Sequence, residues 1–294
     1  MDSQFPLNRW PDIQANPSDF RLIERIPLTR MIDQFPMQIA EAVGDEIPIA
    51  ILDLETTGFD QATDEVIEVG LVRLLISPSQ QRVMSVERAA SYYRDPGFPI
   101  PDVITQITGI DDQKVAGQQL DHTEIAGWFT DDPLVVAHSA SFDRPFFEKT
   151  VPGLDRLRWA CSANGIPWAE FGFEGRKLEY LLLKLGFFYE GHRASIDCLA
   201  VAWLLVVYPE AIGPLLANAD ALEHYIEAKG APFEVKDSLK GRGYRWNPTG
   251  KVWHTLVADP DLPEEKAWLA SLYFKGDERA TIQSLDARSR FKNR

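Results

Sequence analysis

Three places in the chain carry residues of the kind that hydrolysis around a metal ion uses: Asp53 with Glu55, Asp143, and His192 with Asp197. Asp53 and Glu55 close an isoleucine-rich run, Ile49-Ala50-Ile51-Leu52, and lead into a Thr-Thr-Gly turn. Along an extended chain, residues i and i+2 project from one face, so these two carboxylates stand side by side. Adjacent carboxylates repel, and burying one without a partner is costly. A cation between them relieves both, and a ligand set made only of oxygen suits Mg2+ or Mn2+. A D-x-E pair taken alone is more often two solvated acids at a strand end, so the chemistry depends on what else the chain brings.

Several elements would have to place these residues. Residues 47–56 read as a buried strand, with Pro48 tolerated at its start. Residues 66–76 and 81–93 read as two more strands, giving an antiparallel meander. A proline-rich loop at 96–101 precedes Ile107-Thr108-Gly109-Ile110, with Asp111 and Asp112 as helix caps and a helix over 120–129. Residues 134–138 form a short apolar strand feeding a helix whose first turn holds Asp143. By itself Asp143 reads as a cap or a charge at a helix start. Residues 177–185 have helical spacing at Leu178, Leu181, Leu182 and Leu185, ended by Gly186. Ser195 is placed to cap a helix over 196–207, with Asp197 in its first turn and His192 in the loop before it. Singly, these two read as a loop histidine and a favourable helix-start charge. With a further strand near Trp159, the order β-β-β-α-β-α-α gives a mixed sheet flanked by helices, an α/β class.

Taken together, the order and spacing of the five residues resemble the DEDDh 3′–5′ exonucleases of the DnaQ-like superfamily. Leu52-Asp53-Leu54-Glu55-Thr56-Thr57-Gly58 resembles the first motif of that family. Ala137-His138-Ser139-Ala140-Ser141-Phe142-Asp143 resembles the second, with Ser139 where the family usually has Asn. His192-Arg193-Ala194-Ser195-Ile196-Asp197 resembles the third, and the resemblance spans about residues 47–207. It implies an RNase H-like fold and phosphodiester hydrolysis with two Mg2+ or Mn2+ ions, releasing nucleotide monophosphates. It also implies that Asp53 bridges both ions, that Glu55 and Asp197 complete the site of the attacking water, and that Asp143 holds the second ion. His192 would be the general base, a role suited to an imidazole that titrates near ~6.5. Thr56, Thr57 and Thr108 would lie against the terminal nucleotide, and Phe142 would stack on its base.

The 294 residues are 45% hydrophobic and 25% charged, enough for one main domain and a small one. Cys161 and Cys198 supply neither a disulfide framework nor a zinc pattern. The N-terminus lacks signal-peptide architecture, and the longest apolar run, residues 198–208, is too short to span a bilayer and ends at Pro209. A cytoplasmic location and no membrane partner are the expectation. Residues 1–46 read as an extension packing on the core, with a short strand over 20–26 and a helix over 28–43. Residues 47–228 read as the exonuclease domain, its last helix over 215–228. Residues 229–294 read as a small α+β module with 13 Lys/Arg against 9 Asp/Glu; its +4 contrasts with −18 for residues 1–228. There a strand over 233–235, a helix over 237–242, a hairpin around Pro248-Thr249-Gly250, a helix over 263–274 and a strand over 280–291 are predicted. Lys236, Lys240, Arg242, Arg245 and Lys251 interleave with Tyr244, Trp246 and Trp253, as suits single-stranded nucleic acid; equally, the aromatics could be core. The expected activity is exonuclease digestion of single-stranded ends, DNA slightly ahead of RNA. The alternatives are an exoribonuclease and a catalytically silent binding protein on the same fold.

Overall fold

Consecutive strands that are apolar on both faces can leave water only at the centre of a sheet covered on both sides. The computed structural model of the chain, which describes residues 7–293, places residues 47–93 in that position. Residues 1–6 of the predicted extension, and Arg294, lie outside the described residues. Ahead of the centre come α1 (Trp10–Ala15), β1 (Glu24–Arg25) and β2 (Met37–Gln38). The centre is the antiparallel meander β3 (Ile47–Thr56), β4 (Val66–Ser77) and β5 (Arg82–Tyr93). Next come the short helices α2 (Asp102–Thr108), α3 (Asp112–Val115) and α4 (His122–Ala126). They are followed by β6 (Leu134–Ala137), α5 (Ala140–Thr150), β7 (Arg158–Cys161), α6 (Leu178–Lys184), β8 (Phe187–Phe188), α7 (Ala194–Val207) and α8 (Ile212–Asp220).

The main sheet has the order β2-β5-β4-β3-β6-β7, with β6 parallel to β3 and β7 parallel to β6. Ile49, Ile51, Val72 and Leu74 face α6 and α7, while Ala50, Leu52 and Leu54 face α5 and Trp159. This mixed sheet between helices is the α/β arrangement expected from the sequence. A second, wholly antiparallel sheet follows, in the order β10-β11-β9-β12. Its elements are β9 (Glu223–Ala228), α9 (Lys236–Gly241), β10 (Arg245–Asn247), β11 (Val252–Ala258), α10 (Leu262–Leu272), α11 (Gly276–Arg279) and β12 (Thr281–Leu285). Ile226, Leu239, Tyr244 and Leu269 form its own core.

Several local expectations are corrected. The helix predicted over 28–43 is two 3-10 turns, Pro27–Arg30 and Ile32–Gln34, followed by β2; Pro36 removes a helical N–H and crowds the preceding turn. Ile26 and Leu28 are nonetheless fully buried against the main sheet. The helix predicted over 120–129 is only α4, capped by Asp121. Ser195 caps nothing: α7 begins at Ala194, its entry held by other acceptors described below. The helix predicted over 215–228 ends at Asp220, because His224, Ile226 and Ala228 then alternate inward with period two. The second sheet therefore begins at Glu223, not after residue 228. Residues 233–235 are a 3-10 turn, and the final strand stops at Leu285.

Candidate active site

Asp53 and Glu55 lie on the face of β3 that α7 covers, at the strand's C-terminal end. Directly across, on β4, stand Gly70 and Glu68, and opposed residues of an antiparallel pair share a face. Gly70 is needed for the approach of α7. A Cβ there would sit 2.2 Å from the Ala194 carbonyl carbon, closer than any atoms can pack. The missing side chain opposite Asp53 lets the first turn of α7, and with it Asp197, reach the strand end. Ligand oxygens of Asp53, Glu55 and Asp197 lie within 4.8 Å of one another. Asp143 comes from the first turn of α5 on the opposite face and is 2% exposed. Its carboxylate accepts the Leu54 backbone N–H and raises the proton affinity of Asp53 by proximity.

Glu68, fully buried between Ile67 and Val69 of β4, was not singled out in the sequence. Its carboxylate accepts from Arg193 Nε at 3.2 Å and from the Ala194 N–H at 3.2 Å, and Ser91 Oγ donates to it as well. Arg193 also reaches the Tyr93 hydroxyl, and its backbone N–H donates to Asp197 at 3.1 Å. Asp197 and Glu68 thus take the Arg193 and Ala194 N–H groups at the start of α7, and no side chain caps it. A lone acid inside a buried apolar run is the signal that could have found Glu68, since such a charge needs a partner. His192 precedes Arg193, is exposed, and holds a left-handed φ of 64°. It bounds a depression of about 280 Å3 with Tyr189, Lys177 and Asp197. The Tyr189 phenol hydrogen-bonds Asp197.

The remaining predicted residues line the same end of the sheet or its approaches. Thr57 Oγ1 donates to Asp64 at 3.0 Å and Thr56 Oγ1 to the Gly58 carbonyl at 2.5 Å, so both hydroxyls build the turn after β3. Thr108 Oγ1 likewise closes the end of α2, donating to Ile104 O at 2.9 Å. Phe142 packs on Phe146 with ring centres 5.1 Å apart and on Phe59 at 6.0 Å. Phe59, in the turn after Gly58, is 86% exposed and was missed in the sequence. A large ring left in water at that turn was the available signal.

Within the cluster, mutual repulsion and burial outweigh the attraction of the nearby cationic groups. Burial, then the charges of Asp143 and Asp197, hold Asp53 well above the usual carboxylate range. Glu55 is pushed up to about 8 by burial, then by Asp197 and Glu68. Asp143 is pushed up to about 8 by burial. Asp197 is raised by burial, against the opposing pull of the Arg193 N–H and of His192. Four close carboxylates, three with converging oxygens, fit a divalent cation held by oxygen ligands.

Residues 50–152 match the RNase_T family model, described as an exonuclease, a stretch containing Asp53, Glu55 and Asp143. Among curated relatives, the PolC-type DNA polymerase III of Clostridium perfringens is 28% identical over 162 residues, covering 53% of this chain and 11% of that protein. That of Listeria innocua is 29% identical over 190 residues, covering 56% and 12%. The chain thus spans about an eighth of the length of these relatives. Similar solved structures include exonuclease X in complex with 5′-overhanging duplex DNA (21% identity, TM-score 0.42, 57% of this chain and 98% of that one). Another is the nuclease domain of 3′hExo, a DEDDh family member, bound to rAMP (20% identity, TM-score 0.46, 59% and 97%).

Proposed function

From an exonuclease domain of the RNase_T type at residues 50–152, we propose that the chain removes nucleotides one at a time from the 3′ ends of single-stranded nucleic acid, DNA ahead of RNA. The observation that carries this reading is the convergence of Asp53 and Glu55 with Asp197, supplied by two elements far apart in sequence, with oxygens within 4.8 Å. Solvated strand-end acids have no reason to converge, since each is better off in water. Asp53, Glu55, Asp143 and Asp197 would hold two divalent cations, Mg2+ or Mn2+. When bound, such ions neutralise the phosphate and make a water nucleophilic.

The chain's own groups do the rest. Asp197 and Glu55 orient the water from the α7 side. His192, exposed at the edge of the depression beside Asp197, takes the water's proton at a ring nitrogen. Its neighbours Arg193 and Ala194, tied to Glu68, limit how far it swings. Phe142, with the exposed Phe59 beside it, offers ring surface to the terminal base. Thr56, Thr57 and Thr108 shape the pocket wall around the terminal nucleotide rather than donate to it, since their hydroxyls already serve the turns.

The test is digestion of end-labelled DNA and RNA oligomers, single- and double-stranded, with Mg2+ or Mn2+. Stepwise release of nucleotide monophosphates from the 3′ end, stopped by EDTA and restored by either ion, is expected. Release from the 5′ end, or restoration by Zn2+ alone, overturns the reading.

A further inference from the structure

The second sheet has two unlike faces. His224, Ile226 and Ala228 of β9, with Trp253 and Val257 of β11 opposite, point to α9 and α10. Among the described residues, no helix packs on the other face. Across it run Arg245, His254 and Glu227 in one row, and Leu256, Tyr225 and Gln283 in the next. The Tyr225 and His254 rings lie 5.2 Å apart and tilted by only 36°, forming a near-continuous aromatic surface. A depression of about 520 Å3 opens there, bounded by Tyr225, Arg245, His254, Leu256 and Lys292.

We infer that this open face is a binding platform for a single nucleic-acid strand, an inference that rests on the exonuclease reading above. Charge decides the occupant. The face carries two acids, but Glu227 is paired with Lys229 at 3.2 Å and Glu223 is approached by the Arg290 guanidinium at 3.9 Å. Arg245 has no ion pair among the described residues. Lys292 enters from the tail that docks on the first sheet's unit, donating to Asp155 O at 2.7 Å and lying 3.9 Å from Glu148. The unpaired Arg245 beside paired rings, with Lys292 at the rim, matches a strand that presents phosphates on one side and base faces on the other. A contiguous exposed apolar patch would mark a protein-binding face; here Leu256, 56% exposed, stands among Thr281, Gln283 and charged groups. Residues 1–228, at a net −18, attract a polyanion poorly.

The platform is not the one the sequence suggested. Tyr244 is 2% exposed and donates its hydroxyl to Glu265 at 2.9 Å. Trp253 packs toward the helices, and Trp246 lies on its side of the sheet. The aromatics of the open face are Tyr225 and His254.

The 294-residue chain should be titrated, in EDTA so that nothing is cut, against fluorescein-labelled oligothymidylate and oligouridylate of about 30 nucleotides. Tyr225→Ala with Arg245→Ala is expected to weaken binding about tenfold or more, the scale of one lost base stack. Arg245→Ala alone should lower the salt slope by about one, and Tyr225→Phe, which keeps the ring, should retain affinity. Trp246→Ala should change nothing, and turnover of a dinucleotide with metal should match the parent in every variant. Unchanged affinity and salt slope in the double variant overturn the platform, as does an equal loss in Trp246→Ala. A loss confined to one oligomer upholds it and names the preferred sugar. Failure to cleave any substrate, with long-strand binding still lost in the double variant, overturns the exonuclease reading instead.

Discussion

At the scale of single residues, the site holds repulsion that folding alone does not relieve. Asp53 sits among Asp143, Asp197, Glu55 and Glu68, and the Arg193 guanidinium pairs with Glu68 and eases Glu55 but does not outweigh the mutual repulsion there. Asp53→Ala is therefore expected to lower turnover by roughly a thousandfold or more. In EDTA its Tm should equal or exceed the parent's, because a mutually repelling charge is gone. Turnover on a labelled oligomer and a thermal melt check both halves, and parental turnover would dismiss the assignment. The same repulsion sets a pH dependence. Glu55 and Asp143 are held at about 8 in the fold, against ordinary values of 4.5 and 3.8. The fold thus favours their protonated forms, a stabilisation complete below those ordinary values and lost as pH rises through about 8. In EDTA, Tm should fall between about pH 5 and about pH 9, and the increment from saturating Mn2+ should grow over that span. A metal increment independent of pH would contradict it. The convergence of Asp53, Glu55 and Asp197 was legible because these residues stand in motifs at element ends. Glu68 was not, because its meaning depends on Arg193, a residue 125 positions away.

At the scale of elements, β3, β4, β5 and β6 were legible from apolar runs bounded by turn residues, whereas the approach of α7 to β4 was not. A glycine in a strand pattern signals close approach without naming what approaches. Here it is the Ala194–Ser195 peptide, laid against Gly70 directly across from Asp53. Gly70→Ala should push the start of α7 off the sheet, displacing Asp197 and His192 together. A displacement of about 1 Å at a reacting site costs on the order of a hundredfold in rate, and overpacking of this kind destabilises by about 1–3 kcal/mol. The expected result is a large fall in kcat with a lower Tm and no comparable change in long-strand binding in EDTA. Parental kcat would mean the helix start is not what positions the site. The misread stretch at 221–228 has a similar origin. Its apolar residues continue a helical count from Leu215, and only pairing with β11 and β12 makes the alternation decisive.

At the scale of the whole molecule, the chain's end returns to the first sheet. This arrangement was invisible in the sequence, since 280–291 reads as one strand. After β12 the backbone turns, and Ala287 O accepts the Trp159 N–H on the outer edge of β7, covering an otherwise open strand edge. Arg144, fully buried on α5 one residue after Asp143, donates to the carbonyls of Ala287 at 3.2 Å, Arg288 at 2.6 Å and Arg290 at 2.7 Å. Arg290, 2% exposed, in turn donates to the carbonyls of Asn218 at 2.6 Å and Ala219 at 2.7 Å, at the end of α8 where helical carbonyls lack partners. The second sheet is thus fixed to the first unit at both ends, through the α8–β9 connection and through this tail. Removing residues 286–294 leaves all four carboxylates and His192 in place but strips three acceptors from a buried guanidinium. Each unmet donor costs about 1–3 kcal/mol, which for a chain of this size lowers Tm by at least about 5 °C. Because Arg144 adjoins Asp143, kcat should fall as well, even though no proposed ligand has been touched. Thermal melts and single-turnover rates of the shortened protein check this against the parent. An unchanged Tm with unchanged kcat would mean the tail merely rests on the surface, and that the buried guanidinium finds its acceptors elsewhere.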